Sequence, residues 1–289
     1  MSSTAETIQP GTATRRESSW SLWLRQILAI MRLEVKKNFL GKRAVLIYLL
    51  ALMPIGLLAL IAIVKPADRD WIDFVQYPKL FSVIYNTLIL RTVIFFGCAW
   101  IFMNLFRGEI VDRSLHYYFL SALRRDVLIT GKYLSGLVTA VVLFTTVTVL
   151  SMFLTFFPHF FSASTRFFLD GAGLGQLFTY AGITILACIG YGAFFLVVGL
   201  FFRNPIIPAL SLYGWEWINF LLPPLLKKVS VIHYLNSLVP VPLSEGPIAV
   251  AVEPTPAWIS VPGLLIVTAL VLLAASRRIR RMEIRYGGD

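Results

Sequence analysis

The chain has 289 residues, of which 57% are hydrophobic and only 14% charged, with a net charge of +11 and a mean hydropathy of +0.76. Soluble domains carry about 25% charged residues. This composition therefore excludes a water-soluble enzyme, and the charge, gathered beside apolar runs, suits membrane orientation rather than nucleic-acid binding.

Residues 1–19 are small, polar and without period, which predicts a disordered cytoplasmic tail with no cleavable signal peptide. From Trp20 the pattern turns helical. Trp20, Trp23, Leu24, Ile27, Leu28, Met31 and Val35 share one face, with Arg25, Arg32 and Lys36 opposite. Residues 20–43 are thus expected as an amphipathic interfacial helix, tryptophans at the headgroups and cations toward anionic lipid.

Residues 44–289 read as one permease domain. Apolar runs of roughly 20 residues, enough to cross a bilayer, predict six spans: Ala44–Val64, Ser82–Phe106, Tyr133–Phe157, Gln176–Phe202, Pro205–Leu225 and Ala257–Ser276. The fold class is an all-α integral membrane protein. The fifth span is the weakest, because Pro205, Pro208, Pro223 and Pro224 bracket it and Glu216 interrupts it.

Basic residues alternate between sides. Those from Arg15 to Arg43, from Arg107 to Lys132, Arg203, and those from Arg277 to Arg285 fall on one side; the other holds Lys65, Arg69, Lys79, Arg166, Lys227 and Lys228. Basic loops stay cytoplasmic, so both termini are expected inside a multi-pass protein of the cell inner (plasma) membrane. The Pro-rich stretch 229–256 is too broken to span. It is either a re-entrant cap over the bundle or an ordinary external loop.

The connector between spans two and three carries most of the functional signal. Leu115, Tyr118, Phe119, Ala122 and Leu123 fall at i, i+3, i+4, i+7 and i+8, one helical face. Glu109, Asp112, Arg113, Arg124, Arg125, Asp126 and Lys132 surround it with charge. A short amphipathic helix of this kind is suited to contacting a protein, with aromatic and arginine anchors.

Catalytic motifs do not emerge. Gly131-Lys132 lacks the glycine and hydroxyl residue of a phosphate loop, Gly171-Ala-Gly173-Leu-Gly175 lacks the final glycine of a dinucleotide fingerprint, and His116, His159 and His233 are scattered. Cys98 and Cys188 lie in apolar runs, as small core residues do. No enzyme, metal site or cofactor is expected in this chain. Intramembrane charge is costly, about 2.5–3.5 kcal/mol at a helix centre. Arg91 and Glu216, each nine residues from the same end of its span, are therefore expected at one depth, as a pair near a translocation path. The other reading is that Arg91 snorkels and Glu216 bonds a broken helix end. Asn86, Asn104 and Asn219 are expected to bond between helices.

This pattern resembles the membrane subunit of ABC type-2 exporters over nearly the whole chain after the polar tail. The resemblance rests on the topology and on the connector, Gly108-Glu109, Ser114-Leu115, Tyr118-Phe119-Leu120, Arg125 and Gly131-Lys132-Tyr133-Leu134. Ala122-Leu123 stands where members commonly carry a proline. The resemblance implies a coupling helix over Leu115–Leu123, with Leu115, Tyr118 and Phe119 on its face and Glu109, Arg113, Arg124 and Arg125 as its charged rim. It also implies a cytosolic ATPase subunit that binds ATP, and pairing with a second copy or a similar permease. A gradient-driven secondary transporter and a membrane scaffold are the alternatives.

Overall fold

The computed structural model describes residues 19–42, 44–64, 76–111, 124–157, 164–169, 171–202, 204–228, 230–242 and 255–281. The chain is all-helical there. Helix α1 spans Ser19–Leu40 and α2 Ala44–Val64. Next come α3, Tyr77–Ile84, a π-helical segment, Tyr85–Ile94, and α4, Phe95–Val111. They are followed by α5, Arg125–Phe156, α6, Thr165–Leu169, and α7, Gly173–Phe201. Four further helices complete the set: α8, Ile206–Ile218, α9, Pro224–Lys227, α10, Val231–Asn236, and α11, Ala257–Arg281.

Among the described residues, five continuous helical stretches are long and apolar enough to cross a membrane, as expected of a multi-pass membrane protein. They are α2, the continuous α3–π–α4 rod, α5, α7 and α11. The rod and α7 are the most buried, whereas α2 and α11 keep most of their surface free of protein. Leu46, Leu49, Leu52, Ile266 and Leu270 are among their exposed residues, which is the surface a lipid bilayer covers. The central α7 packs on α4, α5 and α11. Its contact with α4 is tight because Gly199 lies against the Met103 backbone.

The expected fifth span, Pro205–Leu225, is not a continuous helix. Helix α8 has 13 residues, about 20 Å at 1.5 Å per residue, which falls short of a roughly 30 Å hydrocarbon core. It ends in a 3-10 turn at Asn219–Leu221, and Pro223 and Pro224 then start α9. The cause is local. A proline lacks the N–H that would continue the ladder, and it biases the preceding residue away from α geometry.

Two boundaries move as well. Helix α5 begins at Arg125, so the expected connector residues Gly131 and Lys132 lie inside it, with Asp126 favourably placed in its first turn. Helix α3 begins at Tyr77 with Pro78 in its first turn, where a missing N–H costs nothing.

Helix α1 packs along α5, through a face rotated from the expected one. Ile30 and Glu34 are buried and Trp23 and Ile27 half-buried, whereas Trp20, Leu24 and Leu28 are exposed. The apolar stripe read from the sequence therefore divides its labour, part against protein and part left free for lipid.

Within 229–256, residues 230–242 fold over the bundle. Ile232 and Leu235 are fully buried, Asn86 Nδ2 donates to Asn236 Oδ1 at 2.8 Å, and Ser82 donates to the Val241 carbonyl at 2.7 Å. For those residues the capping arrangement is the one adopted; 243–254 lie outside the described residues.

Candidate functional site

At one end of the bundle, α1, the end of α4, the start of α5 and the end of α11 converge. Lys132 is fully buried. Its Nζ donates to Glu34 Oε1 at 3.0 Å and to the Leu105 carbonyl at 2.8 Å, and it sits 5.2 Å from the centre of the Phe106 ring. One ammonium thus ties α5 to α1 and α4 together. A buried cation needs such partners, because desolvation would otherwise expel it. Gly131 admits this contact: a side chain there would press on Ile30 of α1.

About two turns earlier, the same helix grips α11. Arg125 Nη1 donates to the Ile279 carbonyl at 2.8 Å, and Ser276 donates to Asp126 Oδ1 at 2.6 Å. A guanidinium on the last carbonyls of a helix is favourable both as a hydrogen bond and for the helix dipole. Arg124 stacks 4.7 Å from the Trp23 ring centre of α1, and Arg278 of α11 lies over Phe201 of α7 at 5.3 Å. The start of α5, where the connector ends, is therefore tied to α1, α4 and α11.

Of the residues expected to form the coupling helix, Arg113, Leu115, Tyr118 and Phe119 lie outside the described residues, and of Glu109 only the backbone, within α4, is described. Arg124 and Arg125 are described, and both have intramolecular partners. Glu34, Lys132 and Asp126 carry the junction, and sequence reasoning did not single out Glu34. The available signal was that Glu34 is the only acid in a helix otherwise holding Arg25, Arg32, Lys36 and Lys37.

The second expected constellation is rearranged. Arg91 and Glu216 are near enough for their charges to interact, but they do not form a direct ion pair. Instead Glu216 is the N-terminal cap of α10. Ser230 donates to its Oε2 at 2.6 Å, Ile232 N–H to the same oxygen at 3.1 Å, and Val231 N–H to Oε1 at 3.2 Å. Glu216 thus bonds a helix end, as the second reading had it, whereas Arg91 takes partners within the bundle rather than snorkelling. The reason is that free N–H groups at a helix start demand acceptors, and a carboxylate also complements the dipole there. Arg91 lies over the Trp217 ring at 5.6 Å, and its Nε donates to Asn86 Oδ1 at 3.2 Å. Tyr213 brings α8 onto this region through Phe96, with ring centres 4.6 Å apart.

The asparagines expected to bond between elements do so in part. Asn86 reaches Asn236, and Asn219 donates to the Lys227 carbonyl at 3.4 Å, whereas Asn104 bonds the Trp100 carbonyl of its own helix at 2.7 Å. His233 meets the Thr255 hydroxyl at 3.2 Å, a contact that pins α10 to the start of α11. Both cysteines are free and buried. No protein-family model matches the chain, and no curated protein matches it in sequence.

Proposed function

We propose that the chain is the permease subunit of an ATP-binding-cassette exporter of the ABC type-2 kind, resident in the cell inner membrane with both termini cytoplasmic. It works with a separate cytosolic ATPase subunit, which binds the ATP, and with a second copy of itself or a similar permease. It forms the translocation path and performs no covalent chemistry of its own.

The observation that carries this reading is the Lys132 junction. The connector leaves α4 and enters α5, and Lys132 locks those two helices to α1 by a buried ion pair and a buried hydrogen bond. Arg125 and Asp126 extend the lock to α11. A push on the connector is then delivered to four helices at once, as a rigid unit, which is what a coupling device requires. Glu109, Arg113, Leu115, Tyr118 and Phe119 supply the surface that is pushed.

The proposed topology has six crossings, the broken α8–α10 stretch making one of them. Two contacts support an even number. Arg125 at the start of α5 holds the end of α11, and Lys132 nearby holds α1, so both ends of the described chain meet at one end of the bundle. Cytoplasmic placement of that end follows from its basic residues.

Affinity purification of the full chain from its native membrane tests the reading. A stoichiometric ATPase subunit is expected, with hydrolysis that falls when Leu115 and Phe119 are both replaced by Asp. A chain that purifies without an ATPase, and transports only under an ion gradient, would be a secondary transporter. The discontinuous α8–α10 stretch is the feature that reading would use.

A further inference from the structure

A cavity of about 250 Å3 opens where the turn between α1 and α2 faces α4. Its walls are sorted by chemistry. Ala44, Ile47, Ile101 and Leu105 form a buried apolar floor, and Trp100 stands at its side. Lys37 and Lys42 line it from exposed positions. Asn38 and Asn104 lie between. Asn104 spends its amide on the Trp100 carbonyl. The Asn38 Nδ2, although buried, has no hydrogen-bond partner in the protein.

The charge balance selects the kind of ligand. Glu34 also lines the cavity, but its charge is taken up by Lys132 at 3.0 Å. The two lysines therefore set a positive field. The carbonyl end of α1 opposes an anion, but two of its last oxygens are already occupied: Gly41 N–H donates to the Lys37 carbonyl at 2.9 Å, and the Tyr48 hydroxyl to that of Phe39 at 2.9 Å. The volume corresponds to about eight waters at roughly 30 Å3 each, which is room for a headgroup and not for acyl chains.

We propose that this cavity binds the phosphate ester of an anionic phospholipid. Lys37 and Lys42 supply the charge and donate to the phosphate oxygens, and the glycerol backbone rests on Ile47, Trp100 and Ile101. The site is independent of the transport reading: it requires only that this end of the bundle meets a bilayer surface.

The test uses the full chain in phosphatidylcholine nanodiscs titrated with phosphatidylglycerol, with bound lipid counted by native mass spectrometry and stability read from the melting temperature. Near a membrane surface each lysine contributes about fivefold in affinity. Lys37→Gln and Lys42→Gln should each weaken retention by about that factor, and Asn38→Asp, nearly isosteric but anionic, should abolish it. Phosphatidylglycerol should raise the melting temperature of the wild-type chain and not that of the Lys37→Gln/Lys42→Gln variant. Arg32→Gln and Lys36→Gln remove the same charge from the same helix outside the cavity, and they should weaken retention clearly less than Lys37→Gln and Lys42→Gln do. Equal losses from these controls would reduce the effect to general attraction and overturn the proposal. Displacement by glycerophosphoglycerol or inorganic phosphate at the same concentration as the lipid would overturn the lipid assignment, leaving a site for a soluble phosphate ester.

Discussion

Asn86 and Arg91 are five residues apart and hydrogen-bonded, Nε to Oδ1 at 3.2 Å. In a regular α-helix such residues stand about 140° apart around the axis and cannot meet in this way. The π segment Tyr85–Ile94 brings them onto one face. Thr92 repeats the spacing, its hydroxyl donating to the Thr87 carbonyl at 3.1 Å. The other end of the Asn86 amide donates to Asn236, so a single side chain joins an intramembrane cation to the cap helix α10.

Replacing Asn86 with Leu should therefore leave two polar groups unpaired and destabilise the protein by about 1–3 kcal/mol for each group that finds no water. Asn86→Asp retains the acceptor for Arg91 and loses only the donor to Asn236, so it should melt between the two. Thermal unfolding in detergent is the measurement. Identical melting of Asn86→Leu and wild type would show that the bridge contributes nothing.

The Glu34–Lys132 pair allows stability to be separated from coupling. Glu34→Gln or Lys132→Met alone should cost about 3–5 kcal/mol, because each leaves an uncompensated buried group. The double variant Glu34→Leu/Lys132→Met should recover most of the stability, since an apolar replacement of a buried pair is often neutral. If the junction transmits force, that folded double variant still assembles with the ATPase and no longer couples hydrolysis to transport. Full coupling in the double variant would reduce the pair to a structural tie.

Arg124 and Arg125 should respond differently to charge reversal. Arg125→Glu breaks the bond to the Ile279 carbonyl and places an anion at the C-terminus of α11, against the dipole. Arg124→Glu loses only an exposed cation–π contact with Trp23, about 0.5–1 kcal/mol. Hydrogen exchange should accelerate in the last turns of α11 for Arg125→Glu and not for Arg124→Glu. Equal effects at both positions would contradict the anchoring role of Arg125.

Exchanging Arg91 and Glu216 should not restore function. An arginine at position 216 offers no acceptor to Ser230, Val231 or Ile232, so α10 loses its cap whatever stands at position 91. Glu216→Gln, which still accepts, should be milder than Glu216→Ala in assembly and in protease resistance of 230–242. Recovery in the double swap would instead establish a direct pair.

The α4–α7 contact predicts a steep contrast between two glycines of one helix. A Cβ at Gly199 would lie 2.8 Å from backbone atoms of Met103, whereas nothing lies within 4 Å of one at Gly182. Gly199→Ala should cost about 1–3 kcal/mol through overpacking. Gly182→Ala should be neutral or stabilising by up to about 1 kcal/mol, since alanine loses less backbone freedom in a helix. Both are read from melting curves.

What the sequence determined by itself was the membrane class, the helical content and five of the spans, those at 44–64 and 176–202 to within three residues of their observed ends and the others to within five to eight. Hydropathy over roughly 20 residues reports a cost that each segment meets alone, whatever its neighbours. The broken stretch after Pro205 was also legible as a weakness, because proline acts locally. Only the tertiary structure decided which partners the charges take. Glu34 and Lys132 are 98 residues apart and Arg125 and Ile279 are 154 apart, distances in sequence over which no periodicity connects them. Counting residues put Arg91 and Glu216 at one depth and suggested a pair, yet Glu216 binds the start of α10. A free helix terminus is created by folding, and its unpaired N–H groups outcompete a cation that already has Asn86 and Trp217. The π segment was equally invisible, since its composition is that of any apolar helix; its extra residue per turn is seen only in which side chains meet.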